Sequence, residues 1–181
     1  MTPVPAPPSP AAVAAFLRGL DKRARLFAAP DWQARALTTI AAEIQLIDPV
    51  WGGMYQYSVG GTWDQPHYEK IGAIQAGALE SLALAYRRTG DERWRSAAHL
   101  QRRYVLGPMQ HPEGGFFTSQ DADLQRPGQA PVLGLDYYAK TDAERRALGI
   151  PRIDEHRYAD INARMISALC LLHASVPGPD G

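Results

Sequence analysis

Apolar residues recur at helical spacing in five stretches of this chain, and no stretch alternates apolar and polar residues over the length of a strand. A chain with that pattern has to pack helices on helices. The first helix is expected from Ser9 or Pro10 through AAVAAFLRGLDKRARLF, with Val13, Phe16, Leu17 and Leu20 on one face. Asp31 suits the N-cap of a second, striped by Leu37, Ile40, Ala41, Ile44 and Ile47 and stopped by Pro49. Pro66 suits the first position of a third, where its missing amide costs nothing, with Ile71, Ile74, Ala78, Leu82 and Ala85 inward. Gly90 and Asp91 read as the C-cap and N-cap of a tight turn into a fourth helix carrying Trp94, Ala97, Ala98, Tyr104 and Val105. A fifth runs from about Tyr158 to His173, with Ile161, Met165, Ala168, Leu169 and Leu172 inward.

Between these helices lie two Gly-aromatic loops, DPVWGGMYQYS and HPEGGFFTSQDAD, whose Gly-Gly pairs at Gly52 and Gly114 are 62 residues apart. That spacing suits a weak repeat of stacked helical hairpins. Segments 53–59 and 115–119 are the candidates for brief strand pairing. Residues 1–10 hold five prolines and read as a disordered leader, 11–174 as one helical-hairpin domain, and 175–181 as a linker-like tail.

Composition narrows the function. Lys plus Arg and Asp plus Glu number 19 each, so the broad electrostatic attraction to phosphate that nucleic-acid binding needs is missing. A single cysteine, Cys170, excludes a disulfide framework, a CxxC pair and a cysteine zinc site, and reads as a small core residue among leucines. No metal site or cofactor is expected, because no third ligand is set by spacing. No apolar run approaches the roughly 20 residues of a membrane span, so the expectation is a soluble, cytoplasmic protein of 181 residues.

The run GGMYQYSVGGTWDQPHYEK carries Tyr57-Ser58, Trp63 and Pro66-His67-Tyr68-Glu69-Lys70, and EGGFFTSQDAD follows downstream. Together with YADINARMISALCLLHA, these motifs resemble the family that includes spermatogenesis-associated protein 20 and its bacterial relatives, over roughly Asp48 to Ala174. The resemblance implies part of an (α/α)6 toroid of the six-hairpin glycosidase and N-acylglucosamine 2-epimerase type. It does not imply the family's thioredoxin-like domain, for which no segment is present. Gln56 stands where the family has arginine and Ile161 where it has tryptophan, so a bidentate anion clamp is lost and the pocket is open to a changed use.

On this reading the ligand is a small carbohydrate. His67 would transfer protons, with Glu69, Asp121 and Asp123 as its carboxylate partners. Tyr57, Trp63, Trp51 and Asn162 would contact the sugar. The reaction would be epimerisation or glycoside hydrolysis; the competing reading is a non-catalytic scaffold that keeps the shell of the fold. Five helices fall short of a closed six-hairpin ring, so a second copy or further hairpins of a longer chain are expected to cover the exposed faces. The pairs Arg87-Arg88, Arg102-Arg103 and Arg145-Arg146 read as solvated helix faces.

Overall fold

The computed structural model describes residues 30–178, so the leader, the helix expected at 11–27 and the last three residues lie outside it. The chain divides into two units at Thr39/Ile40. Of the first unit, the described part is the opening of helix α1, Pro30–Glu43. It is described from Pro30, and Asp31, the expected N-cap, lies within it. Thr38 and Thr39 turn their hydroxyls back onto the carbonyls of Ala34 and Arg35.

In the second unit a single 3-10 turn, Ile44–Leu46, ends α1 and leads into the first Gly-aromatic loop. Helix α2 is Gly72–Thr89, α3 is Glu92–Val105 and α6 is Ala159–Ser175, with two short helices, α4 Gly134–Tyr138 and α5 Asp142–Leu148, between. The chain is mainly α. Helix α2 packs on both α3 and α6. It can, because Ala76, Ala78, Ala83 and Ala85 let the neighbours approach, while Leu79 and Leu82 fill the space with Trp94, Ala98, Met165 and Ala168. The turn between α2 and α3 forms as expected: Gly90 is left-handed and the Asp91 carboxylate accepts the Arg93 amide at 3.0 Å.

Pro66 does not open a helix. Pro66–His67 is strand β2, paired antiparallel with β1, Tyr57–Ser58. Lys70–Ile71 is β3, paired with β4, Ser119–Gln120, which pairs in turn with β5, Ile153–Asp154. Residues 66–67 and 70–71 therefore pair sideways, and α2 starts only where the Gly72 amide reaches the Thr118 carbonyl at 2.7 Å. Segments 53–59 and 115–119 each supply paired residues, with partners other than each other. Helices α4 and α5 lie between the fourth and fifth expected helices, where the sequence pattern places none; α5 opens with a capping box between Thr141 and Glu144. Cys170 is exposed rather than in the core, since α6 turns Met165, Ala168 and Leu172 inward. The tail is not free at its start: Val176 is buried and the Gly178 carbonyl accepts from Arg95 at 2.9 Å.

At Gly52, φ is +80° and an added Cβ would lie 2.0 Å from the Leu100 carbonyl oxygen, whereas at Gly60, φ is +69° with open space around it. Gly60→Ala is expected to cost about 1 kcal/mol, the left-handed penalty alone. Gly52→Ala adds a backbone collision and is expected to cost about 3 kcal/mol or more. Urea unfolding of the two variants checks the difference, and equal losses would place Gly52 outside the packed loop.

Candidate functional site

The ionisable groups that the fold gathers most tightly are Asp48, Lys70 and Arg145, all fully buried. Asp48 sits at the neck of the first Gly-aromatic loop, where its amide donates to the Gly53 carbonyl at 3.0 Å and the Gly52 amide donates back at 2.9 Å. Its Oδ1 accepts the Val50 amide at 2.9 Å. Its Oδ2 accepts from Lys70 Nζ at 2.8 Å and from Arg145 Nη1 at 2.7 Å. Lys70, on β3, also donates to the Gly52 carbonyl at 2.8 Å and lies 4.5–5.3 Å from the ring centres of Tyr104, Tyr138 and Tyr55. Arg145, on α5, donates to the carbonyls of Lys140 and Tyr138 and lies 5.1 Å from the rings of Trp51 and Tyr138.

Two cations share one anion here, and the aromatic faces supply the remaining negative charge density. Burial pushes the Lys70 ammonium down to about 8 against the pull of Asp48. Burial also pushes the Asp48 carboxyl up, but Lys70, Arg145 and the Val50 amide outweigh it and hold the group below the ordinary carboxylate value. Tyr55, Tyr104 and Tyr138 are raised, chiefly by burial with Asp48 adding to it, so they stay neutral. Tyr104 donates to Gln120 at 3.1 Å.

The residues expected to carry chemistry are dispersed by comparison. His67, on β2, stacks on Tyr57 at 5.1 Å between ring centres, and its buried Nδ1 has no hydrogen-bond partner among the described residues. Glu69 is half-buried between β2 and β3. Asp121 is held by Arg152 at 3.0 and 3.3 Å. Asp123 accepts the Gly134 amide at 2.7 Å and so anchors the start of α4. Asn162 spends both amide N–H groups on the carbonyls of Phe116 and Tyr158, and its oxygen accepts the Phe116 amide at 2.7 Å; it clamps the second Gly-aromatic loop. Trp51 donates its indole N–H to Asp142 at 2.6 Å.

Tyr57 and Trp63 do meet, on a groove of about 560 Å³ that is also lined by Glu43, Gln56, Ser58 and Ser81. Trp63 has φ +62°, the one left-handed non-glycine residue described, and its amide donates to Ser58 Oγ at 2.7 Å. Burial raises the Glu43 carboxyl above its ordinary value.

Arg145 is the residue the sequence hid. Beside Arg146 it reads as solvent-facing, yet Arg146 is exposed and paired with Asp142 while Arg145 turns wholly inward. Lys70 stands inside the Pro66-to-Lys70 motif, the one signal that pointed at it. Asp48 gave none.

Asp48→Asn leaves two buried cations without an anion and is expected to cost about 3 kcal/mol or more in urea unfolding. Lys70→Met keeps the Asp48–Arg145 pair balanced and is expected to cost less. The pH dependence follows. Asp48, lowered in the fold, stabilises it above the unfolded carboxyl value, and that contribution disappears as pH falls through the folded value. Lys70, lowered to about 8, loses its proton earlier in the fold than in the unfolded chain, so stability is expected to rise between pH 8 and 10. Thermal midpoints across that window, with Lys70→Met lacking the rise, check this.

Over 102 residues, 56% of this chain, the sequence is 34% identical to human Spermatogenesis-associated protein 20 and 33% identical to the mouse protein. The rat protein is 34% identical over 76 residues, 42% of the chain. No family model matches. The matched stretch is 13% of the human and mouse proteins and 10% of the rat protein, so the chain corresponds to a small part of the length of these relatives. The similarity supports the family to which the motifs around Tyr57, His67 and Phe116 point.

Proposed function

We propose that the unit from Ile40 onward is a binding domain for a small carbohydrate, held in the groove beside Tyr57 and Trp63, and that α2, α3 and α6 are a segment of an α/α toroid. The observation that carries the binding reading is the backbone of Trp63. A bulky residue at φ +62° costs stability and persists only where something holds it. Here the Ser58 hydroxyl holds it, and the result is an indole on the wall of a groove that Tyr57 also lines. Aromatic faces suit the apolar faces of sugar rings, and Gln56, Ser58, Ser81 and a carboxyl at Glu43 suit the hydroxyls. Gln56, which replaces the family's arginine, fits a neutral ligand better than an anionic one.

Binding without turnover is the favoured form, because Asp121, Asp123 and Asn162 are committed to structural partners. The second reading, acid-base turnover such as epimerisation or glycoside hydrolysis, rests on the unpaired Nδ1 of His67 behind Tyr57. Leu84 on α2 and Ile166 on α6 are about half exposed, which favours coverage by further hairpins or a second copy.

Saturation-transfer NMR with N-acetylglucosamine and methyl β-glucoside tests the binding reading. Trp63→Gly relieves the left-handed strain, so it is expected to hold or raise the thermal midpoint while abolishing the sugar signal. A variant that loses stability and keeps the signal would make Trp63 a packing residue. His67→Gln is expected to leave binding intact; loss of a measured turnover with binding retained would favour the second reading.

A further inference from the structure

A second groove lies against the buried ion cluster. It has a volume of about 480 Å³ and is lined by Trp51, Arg103, Gln120, Asp142, Arg146 and Ile150, with Val50, Pro108 and Ile153 among its apolar walls. Its size falls within the range of small-molecule sites, and its walls combine a flat apolar surface with a few polar groups. The hydrogen-bonding inventory is unbalanced toward donors. Arg103 uses Nη2 on the Val50 carbonyl at 2.6 Å, and the rest of its guanidinium has no acceptor among the described residues. Arg146 uses Nε on Asp142 at 2.9 Å, and neither of its Nη groups has an acceptor there.

Gln120 stands in the groove's wall but is fully buried, so it supports the wall rather than offering a donor. Its oxygen accepts from Tyr104 at 3.1 Å and its nitrogen reaches the Pro151 carbonyl at 3.4 Å, which leaves one amide N–H without a protein acceptor among the described residues. Asp142 is the carboxylate on the wall, and it is already engaged by Arg146 and by the Trp51 indole. Behind Trp51 lies Arg145, 5.1 Å from the ring centre, in a cluster of two cations and one anion. The groove therefore faces a surplus of positive charge on its rim and another beneath its floor.

We propose that this groove binds a small organic oxyanion with a flat apolar body, its carboxylate or phosphate head taken by Arg103 and Arg146 and its body laid against Trp51, Ile150 and Ile153. Guanidinium groups pair with such heads through parallel N–H donors, and a partly enclosed apolar wall strengthens the pairing. Trp51 orients the site because its indole is fixed on one edge by Asp142 and carries Arg145 and Arg146 at 5.1 and 5.9 Å from its ring. The site is separate from the Trp63 groove and does not rest on the carbohydrate reading.

The experiment is a titration of the full chain with benzoate, phenyl phosphate and benzyl alcohol, followed by the indole N–H resonance of Trp51, which Trp51→Phe identifies. Benzoate or phenyl phosphate is expected to shift that resonance saturably, and benzyl alcohol is expected to bind at least about tenfold more weakly. A preference for one of the two anions identifies the head group. The exposed substitutions Arg103→Met and Arg146→Met are each expected to weaken anion binding about tenfold, with the dispersion of the amide spectrum unchanged. Trp63→Gly is expected to leave it unaffected. Equal affinity for benzyl alcohol, an unchanged affinity in the double arginine variant, or a Trp51 resonance that does not move with either anion would overturn the proposal.

Discussion

One carboxylate oxygen organises this domain. Asp48 Oδ2 accepts from Lys70 and Arg145, residues 22 and 97 positions away in the chain. That single atom ties the first Gly-aromatic loop to the start of the three-stranded sheet and to helix α5. Charges removed from water cost several kcal/mol each unless they are paired and fully hydrogen-bonded. The surrounding structure goes far toward that condition: the Val50 amide donates to the other oxygen of Asp48, the Gly52 carbonyl accepts a second proton of Lys70, and the Lys140 and Tyr138 carbonyls accept from Nε and Nη2 of Arg145. Each of these is a backbone group, so the loop and helix ends are held in one geometry.

The excess cation explains the aromatic shell. Tyr55, Tyr104 and Tyr138 present ring faces to Lys70, and Trp51 and Tyr138 do the same for Arg145. The tyrosines also pack on one another, Tyr68 stacked on Tyr138 and Tyr55 edge-on to both. A fully buried cluster of this kind, paired and ringed by aromatic faces, is scaffold. Trp51 belongs both to the shell and to the wall of a groove.

The same economy separates scaffold from surface among the polar residues of the two motifs. Asp121, Asp123 and Asn162 fasten the second Gly-aromatic loop and the start of α4. Tyr57, Gln56, Ser58 and Trp63 are left to line a groove. A motif can thus keep its residue types while dividing them between holding the fold and lining a groove. The stretch shared with the human and mouse relatives is 13% of their length.

What the sequence determined by itself is the helical frame between Gly72 and Ser175. Periodicity marked α2, α3 and α6, and the Gly90-Asp91 turn announced itself, because capping and apolar spacing are local properties read from adjacent residues. Tyr57 and Trp63, which the motifs singled out, line one groove. Tertiary structure alone decided where helix α2 begins, since Pro66 at a helix start and Pro66 in a two-residue strand are equally good locally, and the pairing of His67 with Tyr57 and of Lys70 with Gln120 settles it. It alone decided that Arg145 is buried while Arg146 is exposed, and that Asp48 is the common partner of Arg145 and Lys70. Burial of a charge depends on a counter-charge and carbonyls arriving from distant parts of the chain, and no local pattern in the sequence encodes that arrival.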